Sequence, residues 1–308
     1  MRFLVTGGAG FIGSHVAERL LERGDVRVFD NLSGGRREFV PDGAELVKGD
    51  LLVQSDIDGA MDGIDAVFHL ASNPDVRAGI RNPRIDLEQG VLATFNLLEA
   101  MRKHDVRKIV FSSSSTVYGE ADVLPTPESY GPLIPISIYG AEKLACEGFI
   151  TAYCHTFDMQ SWIFRFANVI GKRGTHGVIV DFMNKLKRNP GELEILGDGK
   201  QHKSYLTVED CVEGMLVGFD RSDERVNIFN LGTPTQVYVS RIAEIVVEEL
   251  GLRDVRFVYT GGLRGWRGDV RVMLLDTSKI EALGWRPQHT AEEAVRQAVR
   301  MLKEELWS

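Results

Sequence analysis

Met1-Arg-Phe-Leu-Val-Thr-Gly-Gly-Ala-Gly-Phe-Ile-Gly-Ser-His15 is the stretch that decides the fold. Phe3, Leu4 and Val5 are too short and too uniformly apolar a run for a surface helix, and read as a buried strand. Gly7, Gly10 and Gly13 follow at three-residue intervals, and Val16, Ala17, Leu20 and Leu21 then mark one face of an amphipathic helix. A glycine turn between strand and helix turns the chain tightly, lets backbone N–H groups approach a pyrophosphate, and packs helix on strand. The helix N-terminus adds free amides and a partial positive charge. A second strand, Val26-Arg-Val-Phe-Asp30, ends in an acid. A carboxylate there takes both adenosine ribose hydroxyls and repels a 2′-phosphate, so the expected cofactor is NAD rather than NADP. The alternative is a structural glycine-rich turn with Asp30 as a helix cap.

The rest of the chain narrows the class. Its 308 residues allow one large or two modest domains. With a net charge of −8 and no basic run, nucleic acid is not an expected partner, and an anionic substrate must be held by a few local cations. Cys146, Cys154 and Cys211 lack metal spacing and read as reduced, buried thiols. No cluster of His, Cys or carboxylates has metal spacing either, so no metal is expected. The chain enters a strand at once and carries no membrane-length apolar run, which points to a cytoplasmic protein with no membrane partner.

Strand candidates at 2–6, 26–30, 44–48, 65–70, 107–113 and 160–167 alternate with helical stretches, which argues for an α/β protein with a doubly wound parallel sheet. After about residue 170 the alternation fades. The expected division is a dinucleotide-binding domain over 1–170 and a smaller α/β substrate domain over 171–308, with late strands free to return to the sheet. Asp50 and Leu51 follow the third strand; Asp50 reads equally as an adenine ligand or as an ordinary cap. His69 reads as a packed strand residue rather than a ligand or base. Ile109-Val-Phe-Ser-Ser-Ser-Ser-Thr-Val-Tyr-Gly119 is a buried strand opening into hydroxyls, which suit a surface that hydrogen-bonds a sugar. In Tyr139-Gly-Ala-Glu-Lys143 the phenol and the ammonium lie on one helix face, so the cation is expected to lower the tyrosine pKa. Helices over 91–103 and 138–157 carry surplus apolar residues (Leu92, Phe95, Leu98, Met101; Leu144, Phe149, Tyr153, Phe157), as a homodimer interface or a second layer within the chain requires. The loops 171–177, 197–203 and 261–269 hold candidate cations for a phosphate, among them Lys203, Arg264 and Arg267.

Thr6-Gly-Gly-Ala-Gly-Phe-Ile-Gly13, Asp30-Asn31-Leu32, Asp50-Leu51, His69-Leu-Ala71, Tyr139-x-x-x-Lys143 and Gly197-Asp-Gly-x-Gln201 together resemble the extended short-chain dehydrogenase/reductases, and within them the NAD-dependent UDP-glucose (UDP-galactose) 4-epimerases. The resemblance covers essentially the whole chain and implies a Rossmann-type fold. It implies 4-epimerisation of a UDP-sugar by oxidation, rotation and reduction at C4, with Tyr139, Lys143 and Ser114 as catalytic residues. By the same resemblance Gly7, Gly10, Phe11, Ile12, Gly13, Asp30, Asn31, Ser33, Gly34, Asp50, Leu51, Leu70, Ala71, Ser72, Ser112, Tyr139 and Lys143 bind the cofactor. Ser114, Thr116, Tyr139, Asn168, His176, Val178, Lys203, Arg264, Arg267 and Asp269 bind substrate. Ser115-Thr116 stands where related dehydratases carry an Asp-Glu acid/base pair and decarboxylases usually a Glu at the second position, which leaves a nucleotide-sugar dehydratase or decarboxylase as the disfavoured alternative. Other nucleotide sugars (UDP-glucuronate, a UDP-N-acetylhexosamine, a dTDP-sugar) stay open, and Met273 is a candidate for lining the sugar pocket. The chain departs from the family pattern at Gly90, where an Asn is usual, at Ala93 in place of a Gly, and at Asn73-Pro-Asp-Val-Arg77.

Overall fold

The structure is a computed structural model and describes residues 1–307 except Pro74. Seven parallel strands make one sheet, in the spatial order Val226–Leu231, Gln160–Phe166, Lys108–Ser114, Ala66–His69, Arg2–Thr6, Asp25–Asp30 and Glu45–Lys48. The six strands read from sequence form within a residue or two of their expected limits. The seventh, Val226–Leu231, returns from beyond residue 170 and pairs with Gln160–Phe166 along its whole length. The direction of winding reverses at Arg2–Thr6, which lies between the second strand in the chain and the fourth. A crevice opens beyond the carboxyl ends of the strands at such a switch point.

Strand periodicity sorts the side chains into two cores. Phe3 and Val5 face the helices Phe11–Leu21 and Val208–Arg221 through Val16, Ala17, Leu20, Val212 and Met215. Leu4, Ile109 and Phe111 face the helices Gln54–Ala60, Ala93–Lys103 and Ile138–Thr156 through Ile57, Leu97, Cys146 and Ile150. A third core lies among the helices Val178–Arg188, Val239–Leu250 and Ala291–Leu306 and the parallel pair Glu192–Ile195 and Arg256–Tyr259. The last helix starts at a capping box in which Thr290 and Glu293 satisfy each other's backbone N–H groups.

The surplus apolar residues of the two long helices divide. Leu98, Met101 and Tyr153 are buried within the chain, while Leu92, Phe95, Phe149 and Phe157 remain 38–43% exposed. Phe95 meets Phe149 edge to face at 6.0 Å, so these exposed rings form one patch. Among the described residues no helix is long and apolar enough to cross a membrane.

Candidate active site

A cavity of about 610 Å³ lies over the switch point. The glycine turn lines it with Gly7, Gly10, Phe11, Ile12 and Gly13, and the end of the second strand adds Asp30, Asn31, Ser33 and Gly34. Asp50 and Leu51, then Leu70, Ala71 and Ser72, then Ser112, Tyr139 and Lys143 complete the part of its wall expected from sequence. The turn is built for close approach. Gly7 has φ +69°, and a β-carbon there would lie 2.7 Å from the Ala71 backbone nitrogen. A β-carbon on Gly13 would overlap the Gly7 carbonyl oxygen. The following helix starts at Gly10 with no side-chain cap among the described residues, which leaves its first amides to a ligand. This cradle and the lysine described below fit a dinucleotide.

Asp30 is buried at the cavity edge, accepting the N–H groups of Ala9 (3.0 Å) and Leu32 (2.8 Å). Asp50 combines its two readings: it caps a turn by accepting the Leu52 N–H at 2.9 Å, holds the Asn31 amide at 3.2 Å, and still faces the cavity. His69 is a packed residue. Its ring nitrogens meet the hydroxyls of Thr6 (2.7 Å) and Thr94 (3.0 Å). Burial, with help from the Lys143 charge, pushes its pKa down to about 3, so the ring is neutral.

A second cavity of about 390 Å³ lies beside the first, towards the third core. Ser114, Thr116, Asn168, His176, Val178, Lys203 and Asp269 line it, with Met273. Tyr139 lines both cavities. The Thr116 hydroxyl and the Gln201 amide oxygen are buried here without a hydrogen-bond partner among the described residues, as groups awaiting a polar ligand would be. Lys203 donates to Asp269 at 2.5 Å, and Asn168 donates to the Ser204 carbonyl at 3.2 Å. Burial lowers the His176 pKa, which Arg77 also lowers while Asp75 opposes. The two loop arginines do not reach this lining. Arg264 donates to Glu120 at 2.6 Å and to the Asp269 carbonyl at 3.1 Å, Arg267 is exposed, and Gly265, Trp266 and Gly268 face the cavity instead. Arg173, in the basic loop after the sixth strand, is likewise committed, to Glu18 at 2.7 Å.

The helix Ile138–Thr156 places Tyr139 and Lys143 at the junction of the cavities, one turn apart on the same face. The Lys143 ammonium is 2% exposed and lies 5.0 Å from the Phe111 ring centre and 5.5 Å from that of Tyr139. Burial works against its charge, but Glu142 first, then Tyr139 and Cys146, more than offset it and hold the ammonium above its ordinary pKa. The expected lowering of the tyrosine pKa is overturned, because burial outweighs the nearby cation. Lys143 and Ser114 do pull the Tyr139 phenol down, yet burial, Glu142 and Asp86 push it up further, and its pKa lies above the ordinary value.

The hydroxyls of the serine run have different partners. Ser112 donates to the His69 carbonyl at 3.3 Å and Ser113 to Glu147 at 2.5 Å, while Ser113, Ser114, Ser115 and Thr116 border the second cavity. Sequence reasoning missed Asp75 and Arg77 on the second cavity, and the buried acids Glu142 and Asp86 behind Lys143. For Glu142 the signal was adjacency to Lys143, but neighbouring residues point to different sides of a helix.

A family model described as the NAD dependent epimerase/dehydratase family matches residues 3–232. A protein of Methanocaldococcus jannaschii provisionally named UDP-glucose 4-epimerase is 36% identical over 97% of this chain and 98% of its own length. A crystal structure of a UDP-galactose 4-epimerase is 48% identical with all of both chains covered and a TM-score of 0.90. The UDP-glucose 4-epimerase of Thermotoga maritima, solved with UDP-glucose, is 34% identical over 99% of this chain and 100% of that one, with a TM-score of 0.91. With a doubly wound sheet, a dinucleotide cradle and a tyrosine–lysine pair where two cavities meet, this chain belongs to the NAD dependent epimerase/dehydratase family.

Proposed function

We propose that the protein is a UDP-hexose 4-epimerase that interconverts UDP-glucose and UDP-galactose. The observation that carries this reading is the position of Tyr139, whose side chain faces the dinucleotide cavity and the hydroxyl-lined cavity at once. Held by the glycine turn, Asp30 and Lys143, a bound NAD would supply hydride-accepting and hydride-donating chemistry at the sugar C4. The Tyr139 phenol exchanges the proton of the C4 hydroxyl, directly or through Ser114, as a positioned acid and base. Lys143 holds a buried positive charge beside that phenol and presents its N–H groups to the dinucleotide cavity, where they suit the nicotinamide ribose. The nucleotide is anchored by its diphosphate while the 4-keto sugar turns over and offers its other face. Lys203 and Asn168 are the side chains of this chain suited to the diphosphate. With Ser115-Thr116 at the end of the serine strand, those positions supply no acid for the elimination of water.

Homologous enzymes of this length and activity support the reading, and so does the residue at each reacting position. Purified protein incubated with UDP-glucose, with and without added NAD, is examined by NMR. A glucose–galactose mixture is the expected product. No conversion of UDP-glucose, together with conversion of UDP-glucuronate, UDP-N-acetylglucosamine or dTDP-glucose, would move the assignment to that sugar. The same reading includes a second copy of the chain: the patch of Leu92, Phe95, Phe149 and Phe157 is suited to burial in a homodimer through the two long helices.

A further inference from the structure

Lys143 does not stand alone in its pocket. Gly90 lies in the π-helical turn Leu87–Leu92, and a β-carbon there would overlap Cγ, Cδ and Oε1 of Glu142. The missing side chain at position 90 is thus a notch, and the Glu142 side chain fills it. Glu142 is 3% exposed. Its Oε1 accepts the Ser72 hydroxyl at 3.0 Å and lies 3.6 Å from the Lys143 ammonium, while Oε2 finds no partner among the described residues. Ser72 and Lys143 both line the dinucleotide cavity. An unpartnered buried carboxylate oxygen is costly unless its charge is used.

We propose that Glu142, seated in the notch opened by Gly90, is a positioning residue that keeps the buried Lys143 charged and in place beside Tyr139. The inference rests on Tyr139 acting as the proton-exchanging group. A negative charge close to two titrating groups raises the pKa of both. Glu142 acts in this sense on Lys143 and on Tyr139. Its own carboxyl is pushed up by burial, with Lys143 and Ser72 pulling it back. The other groups facing the cluster are Asp86 from the stretch before the π turn, His69 from the fourth strand and Cys146 one turn along the helix. His69 at about 3 and Cys146 at about 11 titrate outside the working range, which leaves Asp86 as the one group to control for.

The test is made on the NAD-loaded protein with two readouts. One is the tyrosinate absorbance of Tyr139, taken as the difference from Tyr139→Phe, which needs no substrate and so stands apart from the choice of sugar. The other is the pH profile of kcat/KM. Glu142→Gln removes the charge, and both limbs, phenol ionisation on the acid side and ammonium loss on the alkaline side, are expected to move down by about 1 pH unit. Glu142→Asp keeps the charge and returns both limbs towards the wild-type positions, whatever the maximum rate. Gly90→Ala displaces the Glu142 side chain and shifts the limbs in the same direction as Glu142→Gln, which covers the case of a Gln variant that does not fold. Asp86→Asn leaves the Gln-induced shift in place. Limbs that stay put in Glu142→Gln or in Gly90→Ala while the maximum falls would make Glu142 a packing residue and overturn the proposal.

Discussion

Replacing Glu147 by Ala isolates a buried charge pair, that of Glu147 with Arg165. Arg165, 4% exposed on the sixth strand, donates through Nε to one Glu147 oxygen at 3.0 Å and through a terminal nitrogen to the other at 2.7 Å. Its remaining donors reach the Tyr118 hydroxyl at 3.0 Å and the Glu128 carbonyl at 3.2 Å, and the Ser113 hydroxyl also donates to Glu147. Burial works against the guanidinium charge, but Glu147 more than offsets it and holds the group above its ordinary pKa. Truncation leaves an arginine in the core with its charge uncompensated, which costs about 3–5 kcal/mol. Urea unfolding followed by circular dichroism should show a midpoint lowered by on the order of 1 M. The double change Glu147→Leu with Arg165→Met removes both charges and should recover much of the loss, leaving about 1–3 kcal/mol for the stranded Tyr118, Ser113 and Glu128 groups. A single-variant cost below about 1 kcal/mol, or a double variant whose cost equals the sum of the singles, would refute the claim that the pair acts as a buried unit.

Tyr139→Phe should retain NAD, read by fluorescence or by extraction, while turnover of the sugar nucleotide falls by roughly 10²–10⁴-fold; near-normal turnover would remove the phenol from the reaction. Asp30→Ala strands the N–H groups of Ala9 and Leu32 and removes the charge expected to repel a 2′-phosphate. Calorimetric affinities should therefore show weaker NAD binding and a smaller NAD-over-NADP ratio, and an unchanged ratio would count against the role of this acid. The proposed homodimer is tested by light scattering: the unaltered chain is expected to give a dimer and Phe149→Asp, which places a charge in the exposed aromatic patch, a monomer.

The parts of this molecule legible from sequence are those in which the physics is local. The glycine turn, the acid at the second strand end and the tyrosine–lysine pair each need only a few consecutive residues at a set spacing, and the fold places all of them on one crevice. The Gly90 departure was visible as an oddity, but its meaning lies in contact with Glu142 on a different helix, and no spacing rule connects the two. The arginines are a different case. Arg264 and Arg267 occupy a glycine-rich loop that does border the second cavity, yet loop geometry sends Trp266 and the glycines inward and ties Arg264 to Glu120. In a loop without periodicity, sequence tells which charges are near a site and not which way they point.

The cations bordering the second cavity share one property that bears on how so acidic a chain would hold the diphosphate of the proposed substrate. Lys203 is paired with Asp269, and Arg77 lies 3.6 Å from Asp75. The sheltered Lys203–Asp269 pair is formed before substrate arrives, so less side-chain entropy is left to lose on binding. The cost is that an anion gains less from a cation already balanced by a carboxylate. The cofactor side avoids that compromise, because backbone amides of the glycine turn carry no counter-charge and need no partner to be held in place. On the proposed function, a dinucleotide is expected to bind firmly at the turn and a sugar nucleotide more loosely across paired charges. An epimerase that keeps its cofactor while its substrate turns over and leaves needs that asymmetry.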